Sequence, residues 1–124
     1  MLLRGARVLV VEAEPHARLS LMTPLMREGA QVDGVSSGRE AFMLCRRRPF
    51  DIVIIDLELP DTSGAVLIRA VRAVSNPACI VATGATEPLS TRARHLGADR
   101  IFSKPTDWRA VLTYLRTCEL TRAA

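Results

Sequence analysis

The feature that most constrains this chain is an alternation. Five short runs of mostly apolar, branched residues, at 7–11, 31–35, 51–56, 78–83 and 99–103, are separated by longer stretches whose apolar residues recur every three or four positions. Runs that are apolar throughout suit strands covered on both faces. The intervening spacings predict five helices: Ala17, Leu21 and Leu25 before Gly29; Ala41, Leu44 and Cys45 before Pro49; Leu67, Ala70 and Val71 after Gly64; Leu89, Ala93 and Leu96 before Gly97; and Trp108, Val111, Leu112 and Leu115 near the end. With connections this short, each strand can run parallel to the last only if a helix returns across one face of the sheet. The expectation is an α/β three-layer sandwich with a parallel five-stranded sheet in the order 2-1-3-4-5.

Local signals mostly agree. Pro15 suits a first helical turn, and Gly29 and Gly97 suit helix C-caps. Pro24 conflicts with the first helix, since a proline in a helix interior costs ~3 kcal/mol, and predicts a kink or a later start. At 124 residues the chain has room for one domain, taken as residues 1–124. Cys45, Cys79 and Cys118 are widely spaced in apolar surroundings and read as reduced thiols, without a zinc site or a disulfide framework. No apolar stretch approaches the ~20 residues of a membrane span, and no secretory signal follows Met1, so a cytoplasmic location is expected. The net charge of +4 is concentrated only at Arg46-Arg47-Arg48. That triplet falls at a helix end, where cations complement the carbonyl dipole, and it reads as a solvated face rather than a direct nucleic-acid footprint.

In a sheet of this order, ligands bind beyond the carboxyl ends of strands 1 and 3, where the winding reverses. Asp56 ends the third run, in DIVIIDLELPDTSG, and Glu12 ends the first, in VLVVEAEP. Two carboxylates in one partly dehydrated crevice repel each other, and a hard cation such as Mg²⁺, held by one or two carboxylates and several waters, is a common remedy. Thr83 stands at the end of the fourth run and Lys104-Pro105 follows the fifth. His16 and His95 lack metal-spaced partners and belong on solvated faces, whereas Trp108 is expected in the core.

These residues resemble the pattern of the receiver (CheY-like) domains of bacterial two-component response regulators, over nearly the whole chain and with the flavodoxin-like fold that this implies. That pattern has acids after strand 1, a phosphoacceptor aspartate and a Pro…Gly turn after strand 3, Thr or Ser after strand 4 and Lys-Pro after strand 5. The resemblance implies that Asp56 takes a phosphoryl group from a histidine kinase, with Thr83 and Lys104 binding its oxygens. It further implies that Glu12, Asp56 and the main-chain carbonyl of Glu58 hold Mg²⁺, and that the Lys104-Pro105 peptide is cis. The partners it implies are a sensor histidine kinase or phosphotransfer protein, a downstream protein or output domain and, as a further option, a second copy of the chain. Such a domain is a phosphoacceptor rather than an enzyme, with at most slow autodephosphorylation. The closing TCELTRAA leaves open a stand-alone regulator or the front of a longer protein.

Two positions depart from the pattern. Ala13 stands where a second acid is usual, which should weaken Mg²⁺ binding, with Glu14 or water as partial substitutes. Ile101 stands where an aromatic usually reports the phosphorylated state, and the neighbouring Phe102 should face the other helical layer. Both favour the main alternative, a phosphorylation-independent pseudo-receiver that acts as a protein interaction module. A third reading, a haloacid-dehalogenase-type phosphatase, expects an aspartate where Glu58 stands, and more chain than this.

Overall fold

The computed structural model describes residues 3–84 and 97–123. In chain order these form β1 (Arg7–Val11), α1 (Pro15–Arg27), β2 (Gln31–Val35), α2 (Gly38–Arg47), β3 (Ile52–Asp56), α3 (Gly64–Val74), β4 (Cys79–Gly84), β5 (Arg100–Ser103) and α4 (Trp108–Ala123). The helix expected around Leu89, Ala93 and Leu96 lies outside the described residues. All strand pairs are parallel and the sheet order is β2-β1-β3-β4-β5, as the alternation predicts. Strand ends shift by a residue. Asp51 precedes β3, and its carboxylate accepts the Arg7 N–H at 2.9 Å. Asp99 precedes β5, where it accepts the Ile80 N–H at 2.7 Å and pairs with Arg72 at 2.8 Å.

Because successive strand residues point to opposite faces, the sheet divides the core in two. Leu9, Val11, Val53, Ile55, Ile80 and Ala82 pack under α2 and α3, against Ala41, Cys45, Leu67, Ile68 and Val71. Val8, Val10, Ile52, Ile54 and Val81 pack on the other side against Leu21, Leu25, Val111 and Leu115 of α1 and α4. Every residue of β3 is buried, so its apolar run carries Asp56 to the rim without a solvated position.

Helix α1 starts at Pro15 and continues past Pro24, so the helix does not begin later. Pro24 sits close to the C-terminal end, and the carbonyl it leaves without a donor, that of Ser20, belongs to an exposed residue that water can serve. Glu28 caps the helix and Gly29 follows at φ 91°, the left-handed conformation expected there. Trp108 is not core: it is 40% exposed in the first turn of α4, with the Arg109 guanidinium 5.4 Å from its ring centre. Val111 and Leu115, a turn and two turns later, are what lay this helix on the sheet.

The loop after β3 folds back tightly on itself. Glu58 and Ser63 form an isolated antiparallel bridge, and the Gly64 N–H donates to the Leu57 carbonyl at 3.1 Å. A Cβ on Gly64 would lie 2.5 Å from the Leu57 Cα, a backbone atom that can move only by displacing the residue after Asp56. Gly64→Ala should therefore destabilise the chain by about 1–3 kcal/mol in denaturant unfolding. A neutral result would show that the loop relaxes freely.

Candidate functional site

Glu12, Asp56 and Thr83 are buried polar residues at the carboxyl rim of the sheet, each no more than 3% exposed. Asp56 and Thr83 are register partners on adjacent β3 and β4, and alternation puts both on the α1 and α4 side, with Ile54 and Val81. The β3–β4 pairing continues past the rim through the Leu57 N–H to the Thr83 carbonyl at 2.9 Å, and β4–β5 through the Lys104 N–H to the Gly84 carbonyl at 2.7 Å. These bonds fix the direction in which both loops leave the sheet.

Lys104 joins the site across β4. Its ammonium is 2.8 Å from Glu12 Oε1 and 2.8 Å from Asp56 Oδ2, one cation between two acids. Strands are about 4.8 Å apart, so β5 lies about 10 Å from β3 and about 14 Å from β1. A long cationic side chain suits that span, and Glu12, just beyond β1, meets it. The Lys104 side chain is 31% exposed. Its burial works against the charge, but the hydrogen bonds and fields of Asp56 and Glu12 prevail and hold its pKa above the ordinary lysine value. The ammonium's stabilising effect is therefore complete below the ordinary lysine pKa and is lost only as pH rises through the raised one. The Lys104-Pro105 peptide is cis, as expected.

The remaining oxygens are oriented by backbone. Asp56 Oδ1 accepts the Glu58 N–H at 2.9 Å, and Glu12 Oε2 accepts the Glu14 N–H at 3.0 Å. Among the described residues, each carboxylate thus uses two of about four lone-pair directions. Beside the acids, Glu12, Ala17, Leu21, Lys104, Pro105 and Thr106 line a cleft of about 190 Å³. The Glu58 side chain is exposed.

Three residues have roles that spacing did not reveal. Glu14 does not substitute for the acid absent at position 13: its carboxylate caps α1, accepting from His16 N–H at 3.0 Å and Ala17 N–H at 2.7 Å. Pro15 marked the helix start, but glutamate is not an ordinary N-cap residue, so its capping role was not readable. Arg18 reaches back from α1 to the Glu12 carbonyl at 2.8 Å, clamping the loop that bears the acid, and nothing in its surroundings marks it out. Asp61, in sequence only a turn former, accepts the N–H groups of Gly38 at 2.9 Å and Arg39 at 3.0 Å, tying the loop after Asp56 to the start of α2. On the readout side, Ile101 packs toward α2 and α3 whereas Phe102 faces α4, edge-on to Tyr114 with ring centres 6.1 Å apart.

A family model described as the response regulator receiver domain matches residues 8–116. The chain belongs to that family. Receiver domains among solved structures overlay closely on this one. A CheY-like receiver domain from Methylobacillus flagellatus is 32% identical, with a TM-score of 0.81 over 92% of this chain and 98% of that one. A response regulator from Burkholderia pseudomallei, solved with a phosphorylated aspartic acid, calcium ion and citrate, is 26% identical, with a TM-score of 0.82 over 95% of this chain and 71% of that one. Among curated proteins, the TorCAD operon transcriptional regulatory protein TorR of Escherichia coli O157:H7 is 28% identical over 110 residues, 88% of this chain and 48% of that protein. This receiver domain spans about half the length of such relatives. Among its described residues, no helix is long and apolar enough to cross a membrane.

The Asp61 tie gives a pH-dependent prediction. Hydrogen bonds from the Gly38 N–H first, and then from Arg39, hold its carboxyl below the ordinary aspartate value of 3.8. A depressed carboxyl stabilises the fold fully above its unfolded value and loses that effect as pH falls through the folded one. Asp61→Ala should lower the Tm at pH 7, and the gap to the parent chain should close below about pH 3.8. A gap that persists undiminished in acid would show that the charge is not what matters.

Proposed function

We propose that this receiver domain takes a phosphoryl group onto Asp56 from a phosphohistidine of a sensor histidine kinase or phosphotransfer protein, and alters its partner-binding surface in response. The observation that carries this reading is the Lys104 ammonium at 2.8 Å from both Glu12 and Asp56, beside the buried Thr83. Phosphoryl transfer asks a protein chiefly to position the attacking oxygen and to neutralise charge on the group in flight. The Glu58 N–H holds one Asp56 oxygen, which orients the carboxylate. The other attacks phosphorus as the phosphorus–nitrogen bond breaks, the electron pair remaining on the imidazole. Lys104 then exchanges its contact with Asp56 for one with a phosphoryl oxygen, and the Thr83 hydroxyl donates to another.

The oxygen-only donor set suits Mg²⁺, and Glu12, Asp56 and the Glu58 main-chain carbonyl would hold it. When bound, the ion supplies neutralisation of the phosphoryl oxygens. Ala13 leaves this domain one carboxylate short, and Glu14 is engaged in its helix cap. The product adds about −1.5 to −2 charges beside Thr83, by analogy with ordinary phosphoresidues, and that charge is the signal. With Ile101 in place of an aromatic reporter, the response runs through other parts of the surface around β5. The curated relatives are named as transcriptional regulators, which fits a downstream output domain or partner. A cytoplasmic location and at most slow self-dephosphorylation go with this role.

Acetyl phosphate with Mg²⁺, read by intact mass, tests the proposal. The parent chain should gain one phosphoryl group, Asp56→Asn none, and Ala13→Asp should reach the same occupancy with about 10–100-fold less Mg²⁺. Labelling of Asp56→Asn would overturn Asp56 as acceptor. No adduct at any metal concentration, with acetyl phosphate or with a phosphohistidine donor, would favour the pseudo-receiver.

A further inference from the structure

The site leaves one pair of reactive groups unused. Cys79, the first residue of β4, and Cys118, in the C-terminal half of α4, are 39 positions apart in sequence, yet their sulfurs are 3.2 Å apart. Cys79 is completely buried, whereas Cys118 is partly exposed, and both belong to the core between the sheet and α1 and α4. The third cysteine, Cys45, is buried in the opposite core cluster.

We propose that Cys79 and Cys118 form a modification site, a dithiol that a hydroperoxide oxidant converts to an intramolecular disulfide linking β4 to α4. The sulfurs need to approach by only roughly 1 Å to reach bonding distance. The exposed member reacts first: the Cys118 thiolate attacks a peroxide oxygen, the oxygen–oxygen bond breaks, and Cys118 becomes a sulfenic acid while hydroxide or water leaves. Cys79 sulfur then attacks the Cys118 sulfur, its proton passes to the departing hydroxide, and a second water is released. Two thiols and one peroxide thus give one disulfide and two waters, the cysteines losing two electrons that the peroxide gains. Burial, the adjoining Cys118 sulfur and Asp99 together push the Cys79 thiol far above the ordinary range, and burial pushes Cys45 up to about 11. Neither is a good first target, and Cys45 has no cysteine partner among the described residues. Because β4 begins at the end of the sheet opposite Asp56, the cross-link would fix α4 without occupying the phosphoryl site.

The test is to expose the 124-residue chain to hydrogen peroxide, unfold it in the presence of an alkylating reagent, and map the cysteines by mass. The expected product is lighter by two hydrogen atoms before alkylation, carries a Cys79–Cys118 cross-linked peptide, leaves Cys45 alkylated and reverts with dithiothreitol. Closing a loop of this size should also raise the Tm, by on the order of 10 °C. Cys45→Ala should behave like the parent, and Cys118→Ser should form no internal disulfide. The proposal is overturned if all three cysteines stay alkylatable, or if Cys118 proceeds to sulfinic acid while Cys79 stays a thiol. Disulfides found only between chains, or an oxidised form that melts below the reduced one, would overturn it too.

Discussion

One ammonium between two buried carboxylates is the contact on which the rest of the site depends. Glu12, just beyond β1, and Asp56, at the end of neighbouring β3, are both almost wholly buried. Without a cation their repulsion and desolvation would oppose the folding of the rim. Lys104 supplies that cation from the far side of β4, and its partial exposure keeps its own desolvation cost moderate. The pocket therefore sets two acids against one lysine.

The fold makes this possible by separating tasks. The apolar alternation of β1, β3 and β4 holds the strands in register, and the register alone sets Asp56 beside Thr83. The loops then orient the carboxylates: Arg18 clamps the Glu12 backbone, the Glu58 N–H fixes Asp56, and Asp61 anchors the turn that follows to α2. Two positions depart from the family's pattern, one among the acids and one on the readout side. An alanine at position 13 removes one acid, and Ile101 removes a bulky reporter while Phe102 is committed to Tyr114 on the other face.

Much of this was legible in the residues. Five branched runs with helical spacing between them leave one economical topology, and Glu12, Asp56, Thr83 and Lys104 fall at the strand ends that this topology brings together. What stayed hidden depends on distances between segments remote in sequence. Nothing in the spacing says that Lys104 touches both acids, that Asp61 reaches α2, or that Cys79 meets Cys118. Glu14 looked like a spare ligand because composition counts acids, whereas the free N–H groups of a helix start compete for them. Trp108 looked like core because periodicity marks a face without saying where along the helix the sheet ends.

The most direct measurement is a double-mutant cycle between Glu12→Gln and Lys104→Met, with unfolding free energies taken at pH 7. The two residues are 92 positions apart and follow strands that are not neighbours, so coupling reports that their side chains meet over the rim, in contact with each other and with Asp56. The structure predicts a coupling of about 1–3 kcal/mol, at the upper part of the range for residues in direct contact. Additive effects, within about 0.3 kcal/mol, would mean that the shared ammonium does not exist in solution, and the account of the site would fall with it.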